Sequence, residues 1–178
     1  MRLVFYGTAI RVLALAMLVC LGARADRCVP IRTTIVTTYS MGPDCTSPVG
    51  VCTAGRFVSP AFAGTTHFTA MTIGPGPSAD MLLYIGELVI TTAAGTITIR
   101  DHGFLNSSSA QFLEIQQIIG GTGVYAGARG MLISRGISTA IGFEGTLNGS
   151  VCGPSMPVEH AVPARNPAGP GGLQPKPF

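Results

Sequence analysis

Three acids in this chain stand among apolar neighbours at alternating spacing, the setting in which a carboxyl can do chemistry. Asp101, in TITIRDHGFL, shares a face with Ile97, Ile99 and Leu105. Glu114, in QFLEIQQII, shares one with Phe112, Gln116 and Ile118. Glu87, in MLLYIGELVI, stands with Leu83, Ile85 and Val89. A carboxyl on an inward face loses its hydration, its pKa rises, and it can trade a proton near neutral pH. On an outward face the same acid is a solvated charge or the partner of an arginine, and for Asp101 both readings stand. Glu144 lies with Thr146, Asn148 and Ser150 and is expected in solvent. His102 falls on the face opposite Asp101, and His67 and His160 lie elsewhere, so no Ser-His-Asp arrangement emerges. The candidate catalytic residues are Asp101, Glu114 and Glu87. Tyr84, on the face of Leu82, Leu88 and Ile90, and Phe112, beside Glu114, are candidates to line a pocket. No metal site and no cofactor are expected.

Strands must position these residues. Short runs rich in Thr, Ile, Val and Phe are separated by Gly, Pro, Ser and Asn, and almost nothing has a helical period. The expected strands are Val29–Tyr39, Val51–Val58, Thr65–Ile73, Met81–Thr92, Gly95–Asn106, Ala110–Ile119, Gly130–Ser138 and Gly142–Cys152. Links such as AAG, SSS and TAI are too short for a parallel crossover, so the neighbours are antiparallel. Eight such strands in up-and-down order can close into a barrel and leave no edge. A two-sheet sandwich is the competing all-β arrangement.

The stretch IIGGTGVYAGARGML, residues 118–132, tests this reading. Gly121-x-Gly123-x-x-Ala126 fits a dinucleotide-binding fingerprint, which must open into a helix. Gly127 and Gly130 fall where that helix would begin, each costing about 1 kcal/mol against Ala. Met131, Ile133, Arg135 and Ile137 then alternate with Leu132, Ser134, Gly136 and Ser138, as a strand does. The glycines therefore punctuate a β-connection, where Tyr125 can plug one end of a barrel.

The ends of the chain speak to compartment. Arg2 and Arg11, the apolar run VLALAMLVCLG and Ala23-Arg24-Ala25 compose a secretory signal over residues 1–25. The run is short of the ~20 apolar residues of a membrane span. The formal charge of +3 includes Arg2, Arg11 and Arg24; beyond residue 25, eight basic residues balance eight acids. A neutral chain without a basic run has no electrostatic basis for nucleic-acid or anionic-membrane binding. Cys28, Cys45, Cys52 and Cys152 remain, an even number that suggests two disulfides. Of three connectivities, Cys45–Cys52 across a short loop and Cys28–Cys152 between first and last strands are preferred. No C-x-x-C pair supports metal ligation instead. Residues 153–178, dense in Pro and Gly, read as a disordered tail, leaving a barrel domain over 26–152. Apolar residues on both faces of MLLYIGELVI suggest that one face fills the interior and the other meets a partner subunit.

The glycine stretch resembles the V-x-GGTG-x-F-x-x-ARG-Y signature of dirigent proteins, which share an eight-stranded antiparallel barrel with allene oxide cyclases. IGFEGTLNGSVC is similar to the closing strand of bacterial members of that superfamily. The resemblance implies an apolar pocket that holds a flexible substrate in one pose, guiding a cyclisation or a stereoselective coupling, in a protein that is usually trimeric. It also implies that Arg129, the arginine of the ARG triplet, lies near the pocket. Gly123 and Val124 stand where many lignan-forming dirigents carry an acid, so radical coupling is the less supported chemistry. The function expected is thus that of a secreted barrel binding a small apolar molecule. The alternative is a non-catalytic exported barrel whose interior is filled by its own side chains.

Overall fold

A computed structural model describes residues 26–57, 63–154 and 156. The expected signal (1–25) and the expected tail from residue 157 onward lie outside the described residues. Eight strands form one closed antiparallel barrel in sequence order: β1 (Arg27–Tyr39), β2 (Cys52–Phe57), β3 (Thr65–Pro75), β4 (Met81–Thr92), β5 (Gly95–Asn106), β6 (Gln111–Gly121), β7 (Arg129–Ser138) and β8 (Gly142–Gly153). The up-and-down barrel expected from the alternating pattern is the one that forms, and a sandwich is not. Closure is made by β1 on β8, in register from Arg27↔Gly153 to Thr38↔Gly142. Every strand has two neighbours, so no row of backbone donors is left as an edge.

Both expected disulfides are present. Cys28 and Cys152 are direct register partners on the closing pair, and their bond ties the first strand to the last. Cys45–Cys52 braces the loop that leads into β2. In the chain-entropy view a bond spanning 124 residues removes much more freedom from the unfolded chain than one spanning 7.

Period-two alternation sends one side-chain set inward along each strand. Toward one end, the closed end, that set is aliphatic: Ile31, Ile90, Ile97, Ile99, Ile118, Leu132, Leu147 and Val151 are all almost fully buried. Each such side chain contributes about 1.5–3 kcal/mol of burial. The glycine stretch caps this end. Its GGTG segment makes a single 3-10 turn, Gly123–Tyr125, held against the β4–β5 hairpin by Thr122 N–H to the Thr96 carbonyl (2.9 Å) and Val124 N–H to the Ala94 carbonyl (3.0 Å). Gly123 has φ +60°, and a Cβ there would collide with the Ala94 carbonyl, so the turn requires glycine. Tyr125 then folds into the core as a plug. Met156 is buried in the same cluster, so packed chain runs a little past Cys152. Among the described residues no helix is long and apolar enough to cross a membrane.

Register shifts interrupt β6 at Ile119, near the closed end, and β3 within the cavity wall. In β3 the register shifts between Ala70 and Thr72, leaving Met71 as the extra residue of a bulge. Before the bulge Phe68 and Ala70 face the interior; after it Ile73 does, opposite Tyr84.

Candidate functional site

Toward the opposite end the barrel is not filled. An open cavity of about 180 Å³ occupies that half, walled by Tyr39, Phe68, Leu82, Leu105, Phe112 and Phe143 among others. An apolar cavity of ~150 Å³ suffices for a benzene-sized molecule. The aromatic walls brace one another edge to face: Phe112 on Phe143 with centroids 5.4 Å apart, Tyr39 on Phe143 at 5.7 Å, Phe68 on Tyr84 at 6.0 Å. Such pairs lock ring orientation beyond what area burial does.

The cavity floor is polar and lies at mid-height, directly on the aliphatic core. Asp101 on β5 and Gln116 on β6 are register partners, each about 1% exposed. Two residues nearer the mouth, Tyr84, Gly103, Glu114 and Ser134 form one row across β4, β5, β6 and β7. Gly103 matters because a Cβ there would fall inside the Tyr84 ring. Its absence lets Tyr84 lie across β5 and donate its hydroxyl to Glu114 Oε1 at 2.7 Å. Gln116 Nε2 donates to Asp101 Oδ2 and to Glu114 Oε2, both at 3.0 Å, and so bridges the two carboxyls.

Burial raises the pKa of both acids, so the pair keeps a proton above the usual carboxylate range. Burial pushes the Asp101 carboxyl up to about 9, the nearby Glu114 charge pushes the same way, and the Gln116 hydrogen bond opposes them. Glu114 is raised by burial too, against the hydrogen bonds from Tyr84 and Gln116. Tyr84 is raised by burial and then by the Glu114 charge, so it stays a phenol and a donor. Two carboxyls this close titrate as a pair, and one proton shared between them is the low-cost state. Glu114 is only half-buried and lines the cavity, with Asp101 and Gln116 deeper in the floor. The set can therefore hold a proton beside a bound molecule and pass it at Glu114.

The other candidates sit elsewhere. Even-numbered residues of β4 point inward, so Glu87 is exposed on the outer face, opposite Arg100. Arg129 does not line the cavity. It stands at the closed end of β7, on the outward parity set by Leu132 and Ser134, with its side chain 68% exposed and paired to Asp26. Tyr125 belongs to the closed-end core, and Tyr84 and Phe112 line the cavity. Glu144 and His102 are exposed. Gln116 escaped the candidate set, although a polar residue two places from Glu114 on an apolar face was its signal. Phe143, Phe68 and Ser134 escaped it too, since only closure brings their strands to one space.

No protein-family model matches the sequence, and a search of curated proteins finds no match. Among solved structures the chain is similar to a nonspecific heme-binding cyclase that catalyses a [4 + 2] cycloaddition during neoabyssomicin biosynthesis. The two share 18% identity over 88% of this chain and 85% of that one, with a TM-score of 0.45.

Proposed function

We propose that this protein holds one small, largely apolar molecule in the open half of its barrel. On this reading Asp101 and Glu114 supply or take a proton while the walls keep the molecule folded for a ring closure or coupling. The observation that carries the reading is a hydrogen-bonded acid pair, bridged by Gln116, at the floor of an apolar cavity that opens at the barrel end. A filled interior would have favoured the non-catalytic alternative, and the open half is not filled. Rigid aromatic walls lower the entropy of folding a flexible substrate into one pose, and a positioned acid lowers the barrier to the proton step. The resemblance of residues 118–132 to dirigent-type barrels fits the same chemistry. The test is ligand capture: native mass spectrometry and thermal shift with a panel of apolar molecules, on wild type and on Phe112→Trp, which fills the cavity. Binding lost in the filled variant supports the reading; no binding by wild type sinks it.

Export with removal of residues 1–25 is supported by the two disulfides, which persist in oxidising compartments. Self-association is supported by the outer face of β4, β6 and β7. Leu83, Ile85, Leu113, Ile115 and Ile133 are each at least 36% exposed there, in register with one another across β5. Light scattering on the mature chain decides it, and a monomer would remove this part.

A further inference from the structure

The floor of the cavity gathers two carboxyls under aromatic walls with no cation beside them. We propose that the molecule this barrel holds carries an ammonium group, which seats on Glu114 while its apolar body extends toward the mouth. This rests on the cavity being a ligand site.

Three observations favour a cation over a neutral head group. The first is charge. The residues lining the cavity include Asp101 and Glu114 and no Lys, Arg or His. The basic groups on the strands that carry the floor and its nearest row all project outward: Arg100 and His102 from β5, Arg129 and Arg135 from β7, each exposed. Among the described residues, no cation within the barrel balances either acid when it ionises. For a neutral carbonyl one protonated acid would suffice as donor. A second acid then adds only desolvation and like-charge repulsion. For an ammonium the second acid deepens the negative potential under the first.

The second observation is hydrogen-bonding capacity. Among the described residues, Asp101 Oδ1 and Gln116 Oε1 are buried acceptors that make no hydrogen bond, against one such hydroxyl in the cavity lining, that of Ser134. The floor is thus richer in acceptors than in donors. An ammonium brings three donors and no acceptor, the complement of that surplus. The third is the wall. Tyr39, Phe68, Tyr84, Phe112 and Phe143 ring the space above the floor, and aromatic faces attract a desolvated cation.

Seating the cation must release a proton. In the free protein burial raises both acids and the pair shares a proton, and an ammonium against Glu114 favours its carboxylate. The proton leaves to solvent, so binding is proton-linked and tightens as pH rises while the amine itself stays charged. The groups that face Glu114 and take part in this balance are Tyr84 from β4, Asp101 from β5, Gln116 from β6 and Ser134 from β7.

The experiment is isothermal titration calorimetry of the mature protein with three molecules that share one apolar end: phenethylamine, phenethyl alcohol and phenylacetate. Each is run in two buffers of different ionisation enthalpy, on wild type and on Glu114→Gln. The expected result is amine affinity at least about tenfold above the alcohol, a fold-change that one close charge pair readily supplies. Proton release accompanies the amine alone, and both advantages disappear in Glu114→Gln while alcohol binding persists. Alcohol binding as tightly as the amine, or amine binding without proton release, overturns the inference and leaves the cavity as a ligand site. Failure of all three to bind wild type overturns the inference and the cavity reading together.

Discussion

The two halves of this barrel are built from the same eight strands and end in opposite conditions. The closed half is dry and aliphatic, filled by Ile90, Ile97, Ile99, Leu132, Leu147 and Val151, and stoppered by Tyr125. The open half is walled by aromatic rings braced on one another and holds a cavity floored by Asp101, Glu114 and Gln116. What separates them is side-chain shape. Branched aliphatics from all sides meet at the axis and exclude water. Aromatic side chains that stack along the wall leave the axis empty. The stable half supports the cost of the other, in which a buried and a half-buried acid meet with no counter-charge among the described lining residues.

The comparison is sharpest where it should break the fold. Leu132→Ala removes a fully buried closed-half side chain, and the expected loss is about 3 kcal/mol in denaturant unfolding. A loss under about 1 kcal/mol would mean the closed half is not the stabilising one. Replacing Cys28 and Cys152 together by Ser frees the closing strand pair. A loss of about 2–4 kcal/mol is expected, measured the same way and compared with wild type under reducing conditions.

Within the open half the effects should be smaller and, for the buried acid, of the opposite sign. Asp101 has a raised folded-state pKa, so the folded state holds its proton more tightly than the unfolded chain does. Its contribution is therefore fully present below the ordinary carboxylate pKa and is lost as pH rises toward about 9. Asp101→Asn should flatten that decline and raise stability at pH 8 by about 1–2 kcal/mol, while weakening ligand capture. A steeper decline in the variant would show that the acid is not neutral in the fold. Smallest of all, Leu82→Ala at the mouth, where the side chain is 36% exposed, should cost less than about 1 kcal/mol and still alter ligand affinity.

Much of the architecture was legible because strand periodicity is local. The expected and observed bounds of the Met81–Thr92 and Gly95–Asn106 strands coincide, since AAG and its neighbours punctuate them on both sides. The site was legible in part. Asp101 and Glu114 could be placed on apolar faces, yet so could Glu87, and alternation alone does not say which face turns inward. Apolar residues on both faces of β4 hid that choice. Arg129 was linked to the pocket by resemblance, and the parity of β7 puts it outside. The bulge at Met71, which brings Ile73 into the cavity wall, leaves no mark that a period-two reading detects.

The sequence by itself determined the strands, their antiparallel order, the glycine turn and the pairing of cysteines worth expecting, because each depends on neighbours a few residues apart or on simple counting. Only the tertiary structure decided that Asp101 meets Gln116, that Tyr84 crosses Gly103 to reach Glu114, and that one half of the barrel is full and the other open. Those facts follow from inter-strand register and from how side chains of distant strands share one axial space. Neither is written in any single strand.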